Sequence, residues 1–237
     1  MTMTMTTEHP VASREEWLEA RKTLLAKERA LTHALDDLRA QRRQLPWVRL
    51  GKSYEFEGPD GEVALGELFG NRSQLVVYHF MLTPGSDHVC SGCCLIADHI
   101  DAARQHFEHA DLAVAAVSRA PIEQIEGVKQ RLGWTFPWVS SYASDFNYDF
   151  GVYFTPDDRA AGRAFYNYGV TPIRESPDMF GASVFAKNEG GEIFHTYSTY
   201  HRGAELLIGA FNWLDLTPKG RNETGGTMSW VRLHDAY

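Results

Sequence analysis

Cysteine is nearly absent from this chain: three in 237 residues, all within five positions, at Cys90, Cys93 and Cys94. Also missing is any apolar run long enough to cross a bilayer, which excludes a spanning helix. No basic stripe offsets the net charge of -8, which argues against a nucleic-acid backbone as partner. The opening Met1-Thr2-Met3-Thr4-Met5-Thr6-Thr7 has neither a basic n-region nor an apolar h-region, so it does not read as a secretory signal. The expected compartment is therefore the cytoplasm, whose reducing poise leaves structural disulfides short-lived. Three thiols there serve catalysis, metal binding or packing.

What is present is an ordinary globular composition, 43% hydrophobic and 23% charged, in a chain long enough to bury a real core. Residues 1–12 read as a disordered, threonine-rich leader. Residues 13–45 form a helical arm: Ser13 and Glu16 make a capping box, and Trp17, Leu18, Leu24, Leu25, Leu31, Leu35 and Leu38 recur at helical spacing until Pro46 stops them. The other face of this arm is charged, so it either covers a core or pairs with a second copy in a homodimer.

Residues 46–225 alternate strands and helices, and 226–237 follow as a tail. Short runs around Gly58-Pro59-Asp60-Gly61 predict a hairpin. Leu75–Leu82 is a continuous β-branched and aromatic run, the pattern of a strand buried on both faces. A turn cluster, Thr83 to Asp87, separates it from a helical pattern over Leu95 to Phe107. Leu112–Val117 predicts a second buried strand, and strand, helix, strand at this spacing predicts a right-handed crossover with parallel pairing. Ile122, Ile125, Val128 and Leu132 mark another helix, and Trp134–Val139 a short strand. Two aromatic strings, Asp145–Tyr153 and Arg163–Tyr168, predict an insertion packed beside the cysteine helix. Ala182–Lys187 and Glu192–Tyr197 around Asn188-Glu189-Gly190-Gly191 form the clearest hairpin, and Ala204–Trp213 predicts a closing helix.

The cysteines fall where the first buried strand hands over to the first crossover helix. A cysteine at a helix N-terminus has free backbone N–H groups and the positive dipole end beside it, which favour its nucleophilic thiolate. Cys93, three residues on, shares a helix face with Cys90 and can attack a mixed disulfide formed there. Cys94 is a helix neighbour of Cys90 as well, so the spacing admits C-x-x-C and C-x-x-x-C pairings. Simple burial as small hydrophobes and a zinc knuckle short of two ligands are the duller readings, His88 being the one histidine close by.

The strings Tyr78-His79-Phe80-Met81, Phe136-Pro137-Trp138-Val139-Ser140-Ser141, Asp145-Phe146-Asn147-Tyr148-Asp149-Phe150-Gly151, Tyr197-Ser198-Thr199-Tyr200 with Arg202-Gly203, and Leu214 to Arg221 carry a resemblance to a known family. They look like the thioredoxin-like proteins grouped as domain of unknown function 899, over roughly residues 10–225. The resemblance implies an α/β thioredoxin-like fold of peroxiredoxin type, with a central sheet flanked by helices. It also implies Cys90 as the attacking and Cys93 as the resolving cysteine of the broader group. Thioredoxins place a cis proline before the strand of the final hairpin; here Phe180-Gly181-Ala182-Ser183 stands there and the nearest proline is Pro177, which weakens the expectation of an extended peptide and leaves a small thiol open as substrate.

Three chemistries follow. A thiol-disulfide oxidoreductase would act on a small-molecule or protein disulfide, with thioredoxin or glutathione as reductant and no cofactor. Peroxide reduction through a Cys90 sulfenic acid ranks lower, because Asp87 lies three before Cys90 where peroxiredoxins keep threonine, and a carboxylate raises a neighbouring thiol's pKa. Copper or zinc binding without catalysis would use Cys90, Cys94 and His195, or His201 in its place. The strings Asp145–Tyr153 and Tyr197–Arg202 read first as closing the core around the insertion; were they to line a pocket over the cysteines, its residues would be Tyr78, Trp138, Arg119 and Tyr200, Arg119 as a cation near the switch point.

Overall fold

A computed structural model describes residues 9–237, so the expected disorder of the leader falls, for residues 1–8, outside the described part. The chain divides into two compact units at Pro46 and Trp47. The first contains one helix, α1 (Arg14–Arg43). Its start is set as the sequence requires: the Ser13 hydroxyl accepts the Glu16 N–H at 3.2 Å, and the Glu16 carboxylate accepts the Ser13 N–H at 2.9 Å. No residue of α1 is buried, and Trp17, Leu24, Leu31 and Leu38, spaced by seven, are all exposed.

The second unit is built on one eight-stranded sheet. In chain order its elements are β1 (Val48–Arg49), β2 (Glu55–Gly58), β3 (Gly61–Ala64), β4 (Gln74–His79), α2 (Ser91–His109), β5 (Leu112–Ser118), α3 (Ile122–Leu132) and β6 (Trp138–Ser140). Then follow α4 (Phe146–Asp149), α5 (Pro156–Ala160), a separate small hairpin β7 (Phe165–Tyr166) and β8 (Thr171–Pro172), β9 (Gly181–Lys187), β10 (Ile193–Tyr200) and α6 (Gly209–Leu214). The strand order is β1-β10-β9-β4-β5-β6-β2-β3. Strand β5 lies parallel to β4 and β6, while β9 runs antiparallel to β4 and β10. The block β10-β9-β4-β5, with α2 as the crossover between the parallel pair, is the thioredoxin-like core, and β6 with the β2–β3 hairpin extends it in the peroxiredoxin manner.

The two faces of β4 serve two cores, as the period of a strand dictates. Tyr78 packs with Phe80, Cys93, Cys94, Ile96, Ile125 and Trp138 on the side of α2 and α3. Leu75 and Val77 pack with Phe56, Val117, Phe146, Phe150 and Phe185. The aromatic insertion is therefore placed differently from expectation in its first part: Phe146 and Phe150 bury against the second core, away from the cysteine helix. Tyr166 of the second part joins Val152, Phe154 and Tyr200 in a third cluster.

The closing helix is also interrupted. A 3-10 segment, His201–Leu207, precedes α6, and Ile208 between them is extended, with φ -100° and ψ 90°. The break lets the Ala210 N–H donate to His99 Nε2 at 2.9 Å, and any Cβ at Gly209 would meet that ring at 3.1 Å. The tail is packed rather than loose. Val231 is buried, Met228, Trp230 and Leu233 pack on the α2 core, Asp235 pairs with Arg131, and His234 with Asp98 of α2.

A buried polar chain crosses the sheet from β4 to β10. His79 Nε2 meets Ser183 Oγ at 2.9 Å, Ser183 meets Ser198 at 2.9 Å, and Ser198 meets His195 Nε2 at 2.8 Å. The His79 ring stacks on Phe146, and its Nδ1 has no partner among the described residues. Burial pushes its pKa down to about 3 from an ordinary 6.5. The unfolded chain thus takes up a proton near pH 6.5 that the folded chain refuses until about pH 3. Stability present above pH 6.5 falls across that window, by up to about 1.4 kcal/mol per pH unit. Urea unfolding between pH 7 and 4 should show a shallower pH slope for His79→Gln than for the natural protein, and equal slopes would refute the assignment.

Candidate active site

The approach to the cysteines is fixed before the helix begins. Gln124 of α3 donates its amide to Ser86 O at 2.7 Å and accepts the Gly85 N–H at 3.3 Å, pinning the turn after β4. Gly85 adopts φ 70°, a left-handed conformation that glycine takes without strain. Thr83 Oγ1 donates to Asp178 Oδ2 at 2.7 Å, and the Ala120 N–H donates to Leu82 O at 3.0 Å. Loops from three strand ends thereby hold one another.

Cys90 is the N-cap of α2, with extended backbone, and its sulfur accepts the Cys93 N–H at 3.3 Å. The sulfur thus occupies the place usually taken by a serine or aspartate oxygen, among the unpaired N–H groups of a first helical turn. Cys90 is half-buried, whereas Cys93 and Cys94 are buried, and all three are free thiols. The Cys93 thiol beside the Cys90 sulfur, with the Cys93 and Gly92 N–H groups, lowers the Cys90 pKa to about 7 against the cost of burial. Burial, reinforced by the neighbouring Cys90, pushes Cys93 well above the ordinary thiol range. Burial likewise pushes Cys94 up to about 12. Cys93 lies next to the Cys90 sulfur through its N–H, and Cys94, also buried, is close enough to feel the Cys90 charge.

Tyr78 lies beneath this pair. Its side chain is 1% exposed, and its hydroxyl sits beside the Cys93 sulfur without the alignment of a hydrogen bond, leaving it unpartnered among the described residues. Burial and the cysteines together push its pKa far up, so it remains a neutral donor. The Met81 N–H also points at the Cys93 sulfur.

The other residues expected over the cysteines serve elsewhere. Trp138 is a core ring, packed 4.5 Å from Phe80 and donating Nε1–H to Ser118 Oγ at 3.0 Å. Arg119 spends its charge on Asp178, at 2.7 Å and 3.3 Å, and stacks 3.5 Å over Tyr153. It therefore braces the loops rather than facing a thiolate. Tyr200 is buried, its hydroxyl donating to Phe150 O at 2.8 Å. His195 packs edge-on against Phe150 in the other core, so Cys90, Cys94 and His195 do not meet, and among the described residues no group of three His, Cys, Asp or Glu could hold a metal ion. His88 is exposed, and His201 borders a cavity described below.

Tyr166 belongs to the string Arg163–Tyr168 expected beside the cysteine helix, whereas Asp98 and Met228 carry no sequence signal. Tyr166 donates its hydroxyl to Phe180 O and accepts the His201 N–H at 2.8 Å. Asp98, one helical turn beyond Cys94, accepts from Trp134 Nε1 and meets His234. Met228 places its sulfur 3.0 Å from where a Cβ on Gly92 would lie. Each contact joins segments remote in sequence, which residue spacing does not report.

The Arg119–Asp178 pair is 16% and 5% exposed, so removing one charge strands the other away from water. Asp178→Asn should cost about 3 kcal/mol in urea unfolding and loosen the turn that leads to Cys90, while a cost under about 0.5 kcal/mol, the surface-pair value, would show the pair to be dispensable.

Among solved structures, the chain is similar to peroxidoxin BcpB from Mycobacterium tuberculosis, at 12% identity and TM-score 0.44 over 72% of this chain and 96% of that one. It is similar to PrxQ from Xylella fastidiosa, at 17% identity and TM-score 0.40 over 69% and 89% of the two chains. A third likeness is to a putative thiol:disulfide interchange protein DsbE from Chlorobium tepidum, at 11% identity and TM-score 0.42 over 71% and 94%. No curated protein matches the sequence. The family described as bacterial protein of unknown function DUF899 matches residues 6–237, and the chain belongs to that family.

Proposed function

We propose that this protein is a thiol-disulfide oxidoreductase whose dithiol is Cys90 and Cys93. The observation that carries the reading is the capping sulfur: a half-buried cysteine that accepts the Cys93 N–H at 3.3 Å and has a second free thiol beside it. The Cys90 thiolate attacks one sulfur of a substrate disulfide, that S–S bond breaks, and the leaving thiolate takes a proton from water. Cys93 then loses its proton and attacks the Cys90 sulfur, expelling the second substrate thiol and leaving a Cys90–Cys93 disulfide. The substrate gains two electrons and two protons, and a cellular thiol such as glutathione or thioredoxin returns the pair to the dithiol. No cofactor enters the cycle. A reducing compartment such as the cytoplasm suits the dithiol resting state.

The acidities order these steps. Burial, with the charge of Cys90 while that is a thiolate, holds Cys93 protonated. Once Cys90 is tied up in the mixed disulfide, that charge is gone and Cys93 ionises more readily. The Tyr78 hydroxyl, unpartnered in the resting state, then has a sulfur anion to donate to, alongside the Met81 N–H. Tyr78 is in this reading a positioning residue for the resolving step.

Cys90→Ser should abolish reduction of a disulfide substrate, and Cys93→Ser should accumulate a mixed disulfide visible by mass spectrometry. Loss of activity from Cys94→Ser with no trapped adduct in Cys93→Ser would overturn the pairing. Iodoacetamide alkylation of the reduced protein should titrate at Cys90 with a midpoint near pH 7. A midpoint near 8.5, the value of an ordinary thiol, would leave the cysteines as packing residues. Tyr78→Phe should slow mixed-disulfide resolution severalfold while leaving the Cys90 alkylation midpoint in place; unchanged resolution would remove Tyr78 from the mechanism.

A further inference from the structure

A cavity of about 280 Å³ opens beside the first turns of α2. Its apolar wall is Ile96, Phe180, Ala204, Ile208 and Met228. Ile96 stands one helical turn after Gly92, and the Met228 sulfur closes on Gly92 itself, so the cavity adjoins the turn that carries both catalytic sulfurs. The Met228 wall is specifically built. Its backbone is left-handed at φ 62°, rare for a side chain of this size, and its N–H is held by Glu223 at 2.6 Å.

The polar rim does not present a free charge. Arg202 is paired in bidentate fashion with Glu205, which also meets Arg221. Recognition of an extended peptide by strand pairing is blocked from two sides. Strand β9 already has β4 and β10 as neighbours, and Phe180 O, just before it, takes the Tyr166 hydroxyl. A cavity of about 150 Å³ lined by aliphatic and aromatic side chains holds benzene, and by that proportion this one has room for roughly ten carbons.

We propose that this cavity binds an uncharged alkyl chain, and that the disulfide reduced at Cys90 is a low-molecular-weight dialkyl disulfide rather than a protein. The assignment rests on the dithiol reading above and names its substrate class. The chain enters between Ile96 and Met228, its S–S bond lies at the mouth towards Cys90, and the electron flow is the one already written: the substrate S–S bond breaks, the Cys90–Cys93 bond forms, and two alkyl thiols leave.

The test uses the full-length reduced protein and a series of symmetrical disulfides from diethyl to dioctyl, with bis(2-hydroxyethyl) disulfide as the polar member. The second-order rate of dithiol oxidation should rise about fourfold per methylene and level off when the cavity is full. Thr227→Trp, a substitution at the exposed rim, should flatten that rise in protein whose thermal unfolding is unchanged. A flat series in the natural protein, or an undiminished rise in Thr227→Trp, overturns the assignment.

A second measurement separates this idea from the redox reading. Calorimetric titration of the Cys90→Ser, Cys93→Ser double variant with 1-octanol and 1-butanol involves no thiol chemistry. Saturable octanol binding much tighter than butanol binding supports the cavity assignment even if every disulfide proves inert, a result that would remove the dithiol function instead. Rapid reduction of all disulfides alike, with no octanol binding, removes the alkyl pocket and leaves the dithiol function standing.

Discussion

A sulfur atom doing the work of a helix cap is the constraint on which the rest depends. Caps are normally hard oxygen acceptors, because a short side chain must reach the N–H groups of the first turn and accept strongly. A neutral thiol is a poor acceptor and a thiolate a good one, so a cysteine in this place ties the order of the α2 N-terminus to its own ionisation. The helix gains a satisfied donor when Cys90 is charged, and Cys90 is charged more readily because the donor is there. Thiolate formation and the start of α2 are thereby coupled.

That arrangement needs the chain to arrive at Cys90 in a fixed direction, which explains the investment in the loop before it. Gln124, Asp178 and the backbone of Ala120 all hold residues 82–86, and Arg119 holds Asp178 in turn. Arg119 illustrates the point. Placed after a strand at the C-terminal edge of the sheet, it has the address of a ligand-binding cation, yet Asp178 claims it because 3.3 Å or less separates their charged atoms. Chain position at a sheet edge says where a side chain begins; it does not say which partner waits there.

The same distinction governs what was legible in the residue pattern. The helix cap at Ser13, the run from Leu75, the parallel crossover and the last hairpin were all readable, since each is encoded by periodicity or turn chemistry within some ten residues. The cysteine turn was readable for the same reason. Phe146 and Phe150 were placed beside the wrong core, because aromatic density signals burial without saying against which face of the sheet. The closing helix was read as continuous because its apolar spacing is continuous; the break at Ile208 comes from His99, more than a hundred residues away, claiming the Ala210 N–H. Met228 and Asp98 carry no such signal because their contribution is wholly a matter of long-range contact.

The two cores then divide the labour. The side holding Phe146, Phe150 and His79 is closed by stacked rings and a chain of serine hydroxyls, and it holds no thiol. The cysteine side keeps its unsatisfied features: an unpartnered Tyr78 hydroxyl, a left-handed Met228 and an open apolar cavity. An orphaned buried hydroxyl costs on the order of 1–3 kcal/mol, a cost that folding alone would remove by substituting phenylalanine. Its retention makes physical sense if the missing partner forms during turnover, when the Cys93 sulfur becomes an anion beside it.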